Sequence, residues 1–119
     1  MNEKWANGII NASPEKRYKS FLNTITDLEK VWLLSSQNGF ATIDIDGDTC
    51  IMLWPRKEFC GPITARTVPT PIEIHNFQKW HEKLADSTKF AIFPTSKDSY
   101  VVTAKQLYQD IAEHLEELE

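Results

Sequence analysis

The fold is decided by the segment VWLLSSQNGFATIDIDGDTCIMLWPRKEF, residues 31–59. It divides into three short apolar runs, which are separated by Asn38-Gly39 and by Asp46-Gly47. Asn-Gly and Asp-Gly pairs tolerate positive φ angles, so they are favoured in the two-residue turns of β-hairpins. Apolar residues alternate on either side of both turns. The pattern predicts a three-stranded antiparallel meander at the centre of the fold.

The first turn sets which strand residues share a face. With Asn38-Gly39 as a two-residue turn, Trp32 pairs with Ile45 and Leu34 pairs with Ile43. All four side chains then lie on one side of the meander. We expect this face to be buried against the first helix of the chain.

The second turn admits two registers. A two-residue turn at Asp46-Gly47 buries Cys50 and Met52, whereas a three-residue turn with a bulge buries Ile51 and Leu53 instead. We favour the three-residue turn because it buries the larger branched side chains.

Helix and strand signals on both sides of the meander complete the domain. Ser13, a hydroxyl N-cap, and Pro14 start a first helix that extends to residue 27. Thr103 starts the last helix, with Gln106 placed to complete a capping box. The remaining patterns predict a short helical turn at residues 56–60, an extended loop at 62–71, a helix at 74–85, and strands at 90–93 and 100–102.

The order α-β-β-β-(short α)-α-β-β-α predicts an α+β fold. Its helices pack on an antiparallel sheet that consists of the three-stranded meander and a C-terminal strand pair. A chain of 119 residues suits one domain, which we place at residues 13–119. Residues 1–12 are then an N-terminal lead-in, with Trp5 as a candidate anchor.

Composition argues against several classes of function. The net charge of −4 is the wrong sign for general nucleic-acid binding. No apolar run is long enough to cross a membrane, and the N-terminus lacks the pattern of a signal peptide. We therefore expect a cytoplasmic protein in which Cys50 and Cys60 are reduced thiols. The basic cluster of Lys16, Arg17 and Lys19 and the acidic C-terminus are interpreted as solvated helix faces.

No local motif indicates catalysis or metal binding. The acidic segment of Asp44, Asp46, Gly47 and Asp48 lacks the carboxylates that a calcium loop needs at positions 42 and 53, so it is interpreted as a hairpin turn. His81 lies on an apolar helical stripe, which predicts a partly buried, hydrogen-bonded histidine. Cys60 is interpreted as a buried thiol and not as a nucleophile. We expect no catalytic residue, no metal and no cofactor.

One candidate binding surface lies where the third strand joins the short helix. In the bulged register Trp54 turns away from the core, towards the more exposed face. Pro55 ends the strand, and Arg56 and Lys57 then place hydrogen-bond donors beside an aromatic ring, which suits an anionic ligand or an acidic partner. Trp80 is a candidate neighbour. The alternative is that Trp54 fills a second small core and both cations are solvated.

Short aromatic and apolar motifs along the chain resemble one family. They are Arg17-Tyr18 with Phe21, Val31-Trp32 with Leu34, Gly39-Phe40, Trp54-Pro55 with Glu58-Phe59, Ile72 and Ile74 before Phe77 and Trp80, Phe93-Pro94-Thr95, and Val101-Val102. Together, from Ser13 to Leu118, they resemble the bacterial family catalogued as domain of unknown function 2750. The resemblance implies a small bacterial cytoplasmic α+β domain. It implies no activity, cofactor or catalytic residue.

Three functions follow from these observations as competing hypotheses. The first is a non-catalytic protein-binding module, such as an adaptor, a regulator or an immunity-type partner, and it is the one we favour. The second is a small-molecule-binding domain or an enzyme with a dispersed site, which requires a pocket with converging polar groups. The third is a structural protein that associates with itself through a sheet edge or the last helix.

Overall fold

The computed structural model describes residues 8–37, 39–60, 67–85, 87–94 and 99–117. It contains helices α1 (Pro14–Leu28), α2 (Ile74–Trp80) and α3 (Ala104–Glu117), and strands β1 (Lys30–Ser36), β2 (Gly39–Phe40), β3 (Thr42–Ile45), β4 (Asp48–Leu53), β5 (Val68–Glu73), β6 (Lys89–Ile92) and β7 (Tyr100–Thr103). The α+β class is confirmed, and so is the order of elements in outline. The predictions for Trp5, Asn38, residues 62–66 and Thr95 lie outside the described residues.

Helix α1 begins where the sequence predicts. The Ser13 side chain accepts a hydrogen bond from the Lys16 backbone N–H at 3.3 Å, and Pro14 occupies the first turn. Arg17, however, is buried, with 1% of its surface exposed, so its prediction as a solvated charge is wrong. It precedes Phe21 and Ile25 by four and eight residues, which places its side chain on the same buried helix face.

Strand β1 lies between β2 and β5 in a three-stranded antiparallel sheet. Residues 68–71 therefore belong to an edge strand, and the prediction of a loop is wrong for them. Pro69 and Pro71 lie opposite Leu34 and Trp32, whose backbone groups bond to Ala41 and Trp54 on the other side of β1. Neither proline therefore faces a partner that would need its missing N–H.

The first hairpin has a different register from the predicted one. Ser36 pairs with Gly39, so the turn starts one residue earlier and β2 has only two residues. The chain then leaves β1, and β3 pairs with β4. The predicted pairs of Trp32 with Ile45 and of Leu34 with Ile43 are wrong, and Ile43 is 37% exposed. Because β3 pairs with β4 and not with β1, the predicted four-residue buried face does not form, although Leu34 is buried as predicted.

The second hairpin has the two-residue turn, so the preferred three-residue turn is wrong. Ile45 pairs with Asp48, and the turn residues Asp46 and Gly47 have φ angles of 51° and 86°. Positive values at both positions define a type I′ turn, which Asp-Gly favours. The two-residue register predicts that Cys50 and Met52 are buried; Cys50 is fully buried and Met52 is partly buried.

Strand β4 lies inside the four-stranded sheet β3-β4-β6-β7 and pairs with β6 in parallel. At the end of β4, Leu53 and Trp54 are both fully buried although their side chains point to opposite sides, so both faces of the sheet are covered there. The Trp32 and Trp54 backbones exchange two hydrogen bonds of 3.0 and 2.8 Å, which join this sheet to β1.

Helices α1 and α3 pack side by side against these strands. The Tyr18 hydroxyl donates to Asp110 Oδ2 at 2.5 Å, and the Tyr18 ring stacks on Tyr100 with the centroids 4.4 Å apart. Thr103 caps α3 by accepting from the Gln106 backbone N–H at 3.2 Å, while the Gln106 side chain donates to Asp110. Among the described residues, none of the helices combines the length and the apolar character that a membrane span requires.

Candidate functional site

Trp54, the centre of the predicted site, is fully buried. The prediction that it lies on an exposed face is wrong. The two-residue turn places Trp54 on the same side of its strand as Cys50, which also has no exposed surface. The indole Nε1 is buried and has no hydrogen-bond partner among the described residues. Trp54 therefore acts in the core, where its backbone fixes the position of Trp32.

Trp32 takes the place at the surface that the sequence assigned to Trp54. It lies with Arg56 and Lys57 in a depression of about 290 Å³. We call this depression the basic groove, and its lining residues are Leu28, Lys30, Trp32, Arg56, Lys57 and Glu58. The structure thus brings together two of the four predicted site residues and adds a different tryptophan.

One wall of the basic groove is built where α1 turns into β1. Leu28 is the last residue of the helix and is 41% exposed. Glu29 adopts a left-handed conformation with φ of 59°, which ends the helix and directs Lys30 into the strand. The Glu29 carbonyl accepts from the Ile74 backbone N–H at 2.9 Å. This bond holds the turn against the start of α2.

The other wall is built where β4 ends. Pro55 is buried, and Arg56 has an extended backbone with φ of −144° and ψ of 151°. Lys57–Phe59 then form a 3-10 turn, which is closed by a bond of 3.0 Å from the Cys60 N–H to the Lys57 carbonyl. The Phe59 ring packs on Phe93 with centroids 4.7 Å apart. The turn is therefore anchored to the core, and its first residues face the groove.

The lining of the groove is strongly biased towards positive charge. Lys30, Arg56 and Lys57 carry three positive charges against the single carboxylate of Glu58, in a chain whose net charge is −4. Arginine and lysine side chains at a groove favour carboxylate or phosphate groups. The groove can thus bind an anion, and the Trp32 ring offers an adjacent apolar or stacking surface.

Trp80, the fourth predicted residue, lies elsewhere. It is at the end of α2, and its ring contacts Phe40 and Phe77 with centroid distances of 5.1 and 5.8 Å. It is not among the residues that line the basic groove. Phe40 is 40% exposed, so the two rings form a separate partly exposed aromatic pair.

Sequence reasoning missed Leu28, Lys30 and Trp32 as groove residues. The helical spacing of apolar residues in α1 predicts Leu28 as a core residue, and the incorrect hairpin register predicts that Trp32 is buried. The available signal was the position of Leu28 and Lys30 at the predicted junction between helix and strand. That signal places both near a surface but does not place them beside Arg56.

The other titratable candidates lie outside this groove. His81 is partly buried, and its Nδ1 donates to the Phe77 carbonyl at 3.0 Å, as the sequence predicts. Burial lowers the pKa of His81. Burial, followed by the Glu58 charge, raises the pKa of the Cys60 thiol to about 12, and the interpretation of Cys60 as a buried thiol is confirmed. Within the described ranges, no three His, Cys, Asp or Glu residues are grouped so that they could hold a metal ion.

We expect both thiols of the folded protein to resist iodoacetamide. Cys60 has a raised pKa and 6% exposure, and Cys50 is fully buried with its pKa raised by burial. Alkylation at pH 8 should be about 100-fold slower than in urea-unfolded protein, because the thiolate is the reactive form. Mass spectrometry of the two cysteine peptides measures each rate. Fast alkylation of Cys60 in folded protein would contradict this assignment.

The same thiol predicts how stability depends on pH. The folded state keeps Cys60 protonated up to a pKa of about 12, whereas the unfolded thiol ionises near its ordinary value of 9.0. The unfolded state therefore loses its proton first. The contribution of Cys60 to stability is complete below pH 9 and falls as the pH rises towards 12. Urea titrations measure the free energy of unfolding of the protein and of Cys60→Ala. The difference between the two should be smaller near pH 12 than below pH 9.

Comparison with known proteins gives the family but no activity. The model of the family described as "Protein of unknown function (DUF2750)" matches residues 18–111. This range contains most of the core and all six residues that line the basic groove. No curated protein matches the chain. Because the match extends over most of the 119 residues, the chain belongs to the family of proteins of unknown function DUF2750.

Proposed function

We propose that this protein is a non-catalytic protein-binding module whose basic groove receives an acidic segment of a partner protein. The observation that carries the proposal is the grouping of Lys30, Arg56 and Lys57 around the Trp32 ring, on a chain of opposite net charge. We further propose that it acts in the bacterial cytoplasm as an adaptor, a regulator or an immunity-type partner.

The charges support a carboxylate-bearing partner. Lys30 and Lys57 are exposed, and Arg56 is partly exposed at the same depression. Arg56 adds a delocalised positive charge that suits a carboxylate, and each lysine adds a mobile positive charge. Such an arrangement raises the association rate of an acidic partner, and its effect weakens as salt is added.

The apolar lining residues of the groove support a protein segment over a free anion. Leu28 is 41% exposed, and the partly exposed Trp32 ring lies in the same groove. Large aromatic side chains at a surface supply much of the binding energy of protein interfaces when a partner covers them. A peptide with alternating acidic and apolar side chains would use both parts of the groove, whereas a simple anion would use only the cations.

The experiment is an NMR titration with a blocked peptide in which Asp and Glu alternate with Leu. We expect the Trp32 indole N–H signal and the Lys57 amide to shift. The indole signal of Trp54, which is fully buried, serves as an internal reference and should stay in place. Replacing both Arg56 and Lys57 by Glu should raise the peptide Kd at least about tenfold.

The matched control replaces Lys16 and Lys19, two exposed cations on α1, by Glu. It changes the net charge of the chain by the same amount but leaves the groove intact. Equal loss of affinity in the two double variants would show that the peptide senses only the overall charge. Failure of the Trp32 signal to shift in the unmodified protein would contradict the proposed site directly.

A further inference from the structure

A second depression lies between α3 and the 3-10 turn His81–Lys83, and it shares no residue with the basic groove. Its volume is about 310 Å³, at the lower end of the range in which proteins bind small molecules. We call it the helix cleft. Its lining residues are His81, Glu82, Ala104, Lys105, Tyr108 and Gln109.

We propose that the helix cleft binds a small zwitterion of the amino-acid type that carries an aromatic side chain. In this arrangement the ligand ammonium faces Glu82 and the ligand carboxylate faces Lys105. The ligand ring packs against Tyr108.

The charges of the cleft carry the first part of this inference. Glu82 lies on the 3-10 turn and Lys105 on α3, so the two elements that form the cleft bear one charge of each sign. Neither side chain forms an ion pair with a residue in the described segments. Lys89 and Asp48, by contrast, form an ion pair of 2.6 Å elsewhere on the surface. A ligand with both charges can complement Glu82 and Lys105 together.

The rings of the cleft carry the second part. Tyr108 is 43% exposed, and its ring centroid lies 5.6 Å from that of His81 at an angle of 58°. Most of the accessible surface that lines the whole cleft is apolar. A half-exposed tyrosine ring that lines a depression offers a face on which a ligand ring can stack.

His81 adds no charge to this site. Its Nδ1–H donates to the Phe77 carbonyl at 3.0 Å, which leaves Nε2 as an acceptor in the neutral ring. Nε2 is buried and has no partner within the described ranges. Burial also lowers the His81 pKa, so the ring stays neutral at pH 7. Glu82 and Lys105 are therefore the charged groups among the lining residues, and their charges balance.

The experiment compares three probes that differ only in charge. They are L-phenylalanine, phenethylamine, which lacks the carboxylate, and 3-phenylpropionate, which lacks the ammonium. Each is titrated at pH 7 while NMR follows the Tyr108 ring and the His81 ring protons. We expect L-phenylalanine to bind about fivefold more tightly than either analogue, as two exposed charge contacts allow.

Two variants test the orientation of the bound ligand. With Glu82→Gln the preference for L-phenylalanine over 3-phenylpropionate should disappear, because the ammonium has lost its partner. With Lys105→Gln the preference over phenethylamine should disappear instead. Lys79→Gln and Glu113→Gln, two exposed residues that do not line the cleft, should change neither ratio.

Several results would overturn the inference. Equal affinities for the three probes would remove the role of the charges, and shifts at Trp32 in place of Tyr108 would move the ligand to the basic groove. The absence of any shift at the highest soluble concentration of L-phenylalanine would exclude the site. None of these results depends on the acidic peptide, so the two proposals can fail separately.

Discussion

Trp54→Ala is expected to lower the free energy of unfolding by about 3–5 kcal/mol, which approaches the whole stability of a domain of this size. The Trp54 side chain has no exposed surface and is the largest fully buried side chain among the described residues. Its removal leaves a cavity at the junction of the two sheets, where its backbone exchanges hydrogen bonds with Trp32. Urea unfolding followed by far-UV circular dichroism measures the loss.

The matched control is Trp80→Ala, which removes the same side chain from a partly exposed position. We expect it to cost clearly less, because less apolar surface is lost from the core. If Trp54→Ala does not fold, Trp54→Phe preserves most of the volume and should give a measurable, smaller loss. Equal losses for Trp54→Ala and Trp80→Ala would contradict the burial that the structure assigns to Trp54.

Arg17→Met should cost about 2–4 kcal/mol, since it keeps most of the side-chain volume but removes buried hydrogen-bond donors. Arg17 Nη1 donates to the Ala12 carbonyl at 2.6 Å, and Nε donates to the Phe93 carbonyl at 3.3 Å. The guanidinium thus connects the segment before α1 to the residue after β6. Without it, the buried Phe93 carbonyl loses this donor.

Lys16→Met is the control for this prediction, because it removes a neighbouring charge from an exposed position of the same helix. It should change stability by less than about 0.5 kcal/mol. Thermal and urea unfolding of the two variants give the comparison. An Arg17→Met protein as stable as the unmodified one would mean that the desolvation of the guanidinium cancels its hydrogen bonds.

The local predictions succeeded where a few consecutive residues carry the whole signal. Ser13 and Pro14 start α1 as predicted, because capping depends on groups within one helical turn. Asp46-Gly47 forms the two-residue turn that the pair favours and not the predicted three-residue turn, since its two φ angles are properties of those residues. The prediction of a three-residue turn with a bulge was wrong because it gave more weight to burying large apolar residues than to the φ angles that Asp-Gly favours.

The strand pairings failed where the partner is distant in the chain. Strand β1 pairs with β5, whose prolines indicate a loop when the sequence is considered alone. Strand β4 pairs with β6 in parallel, across an intervening helix. No short-range pattern distinguishes pairing with a distant strand from pairing within a local hairpin, because the same alternation of apolar residues is compatible with both.

The sequence by itself determined the α+β class, the starts of α1 and α3, and the presence of an aromatic and basic segment after β4. Only the tertiary structure decided which tryptophan accompanies Arg56 and Lys57. The choice of Trp32 over Trp54 follows from the pairing of β1 with the end of β4 and from the burial of Leu53 and Trp54 on opposite faces at that end. The physical reason is that local conformation depends on neighbours in the chain, whereas the face that a strand exposes depends on the elements that cover it.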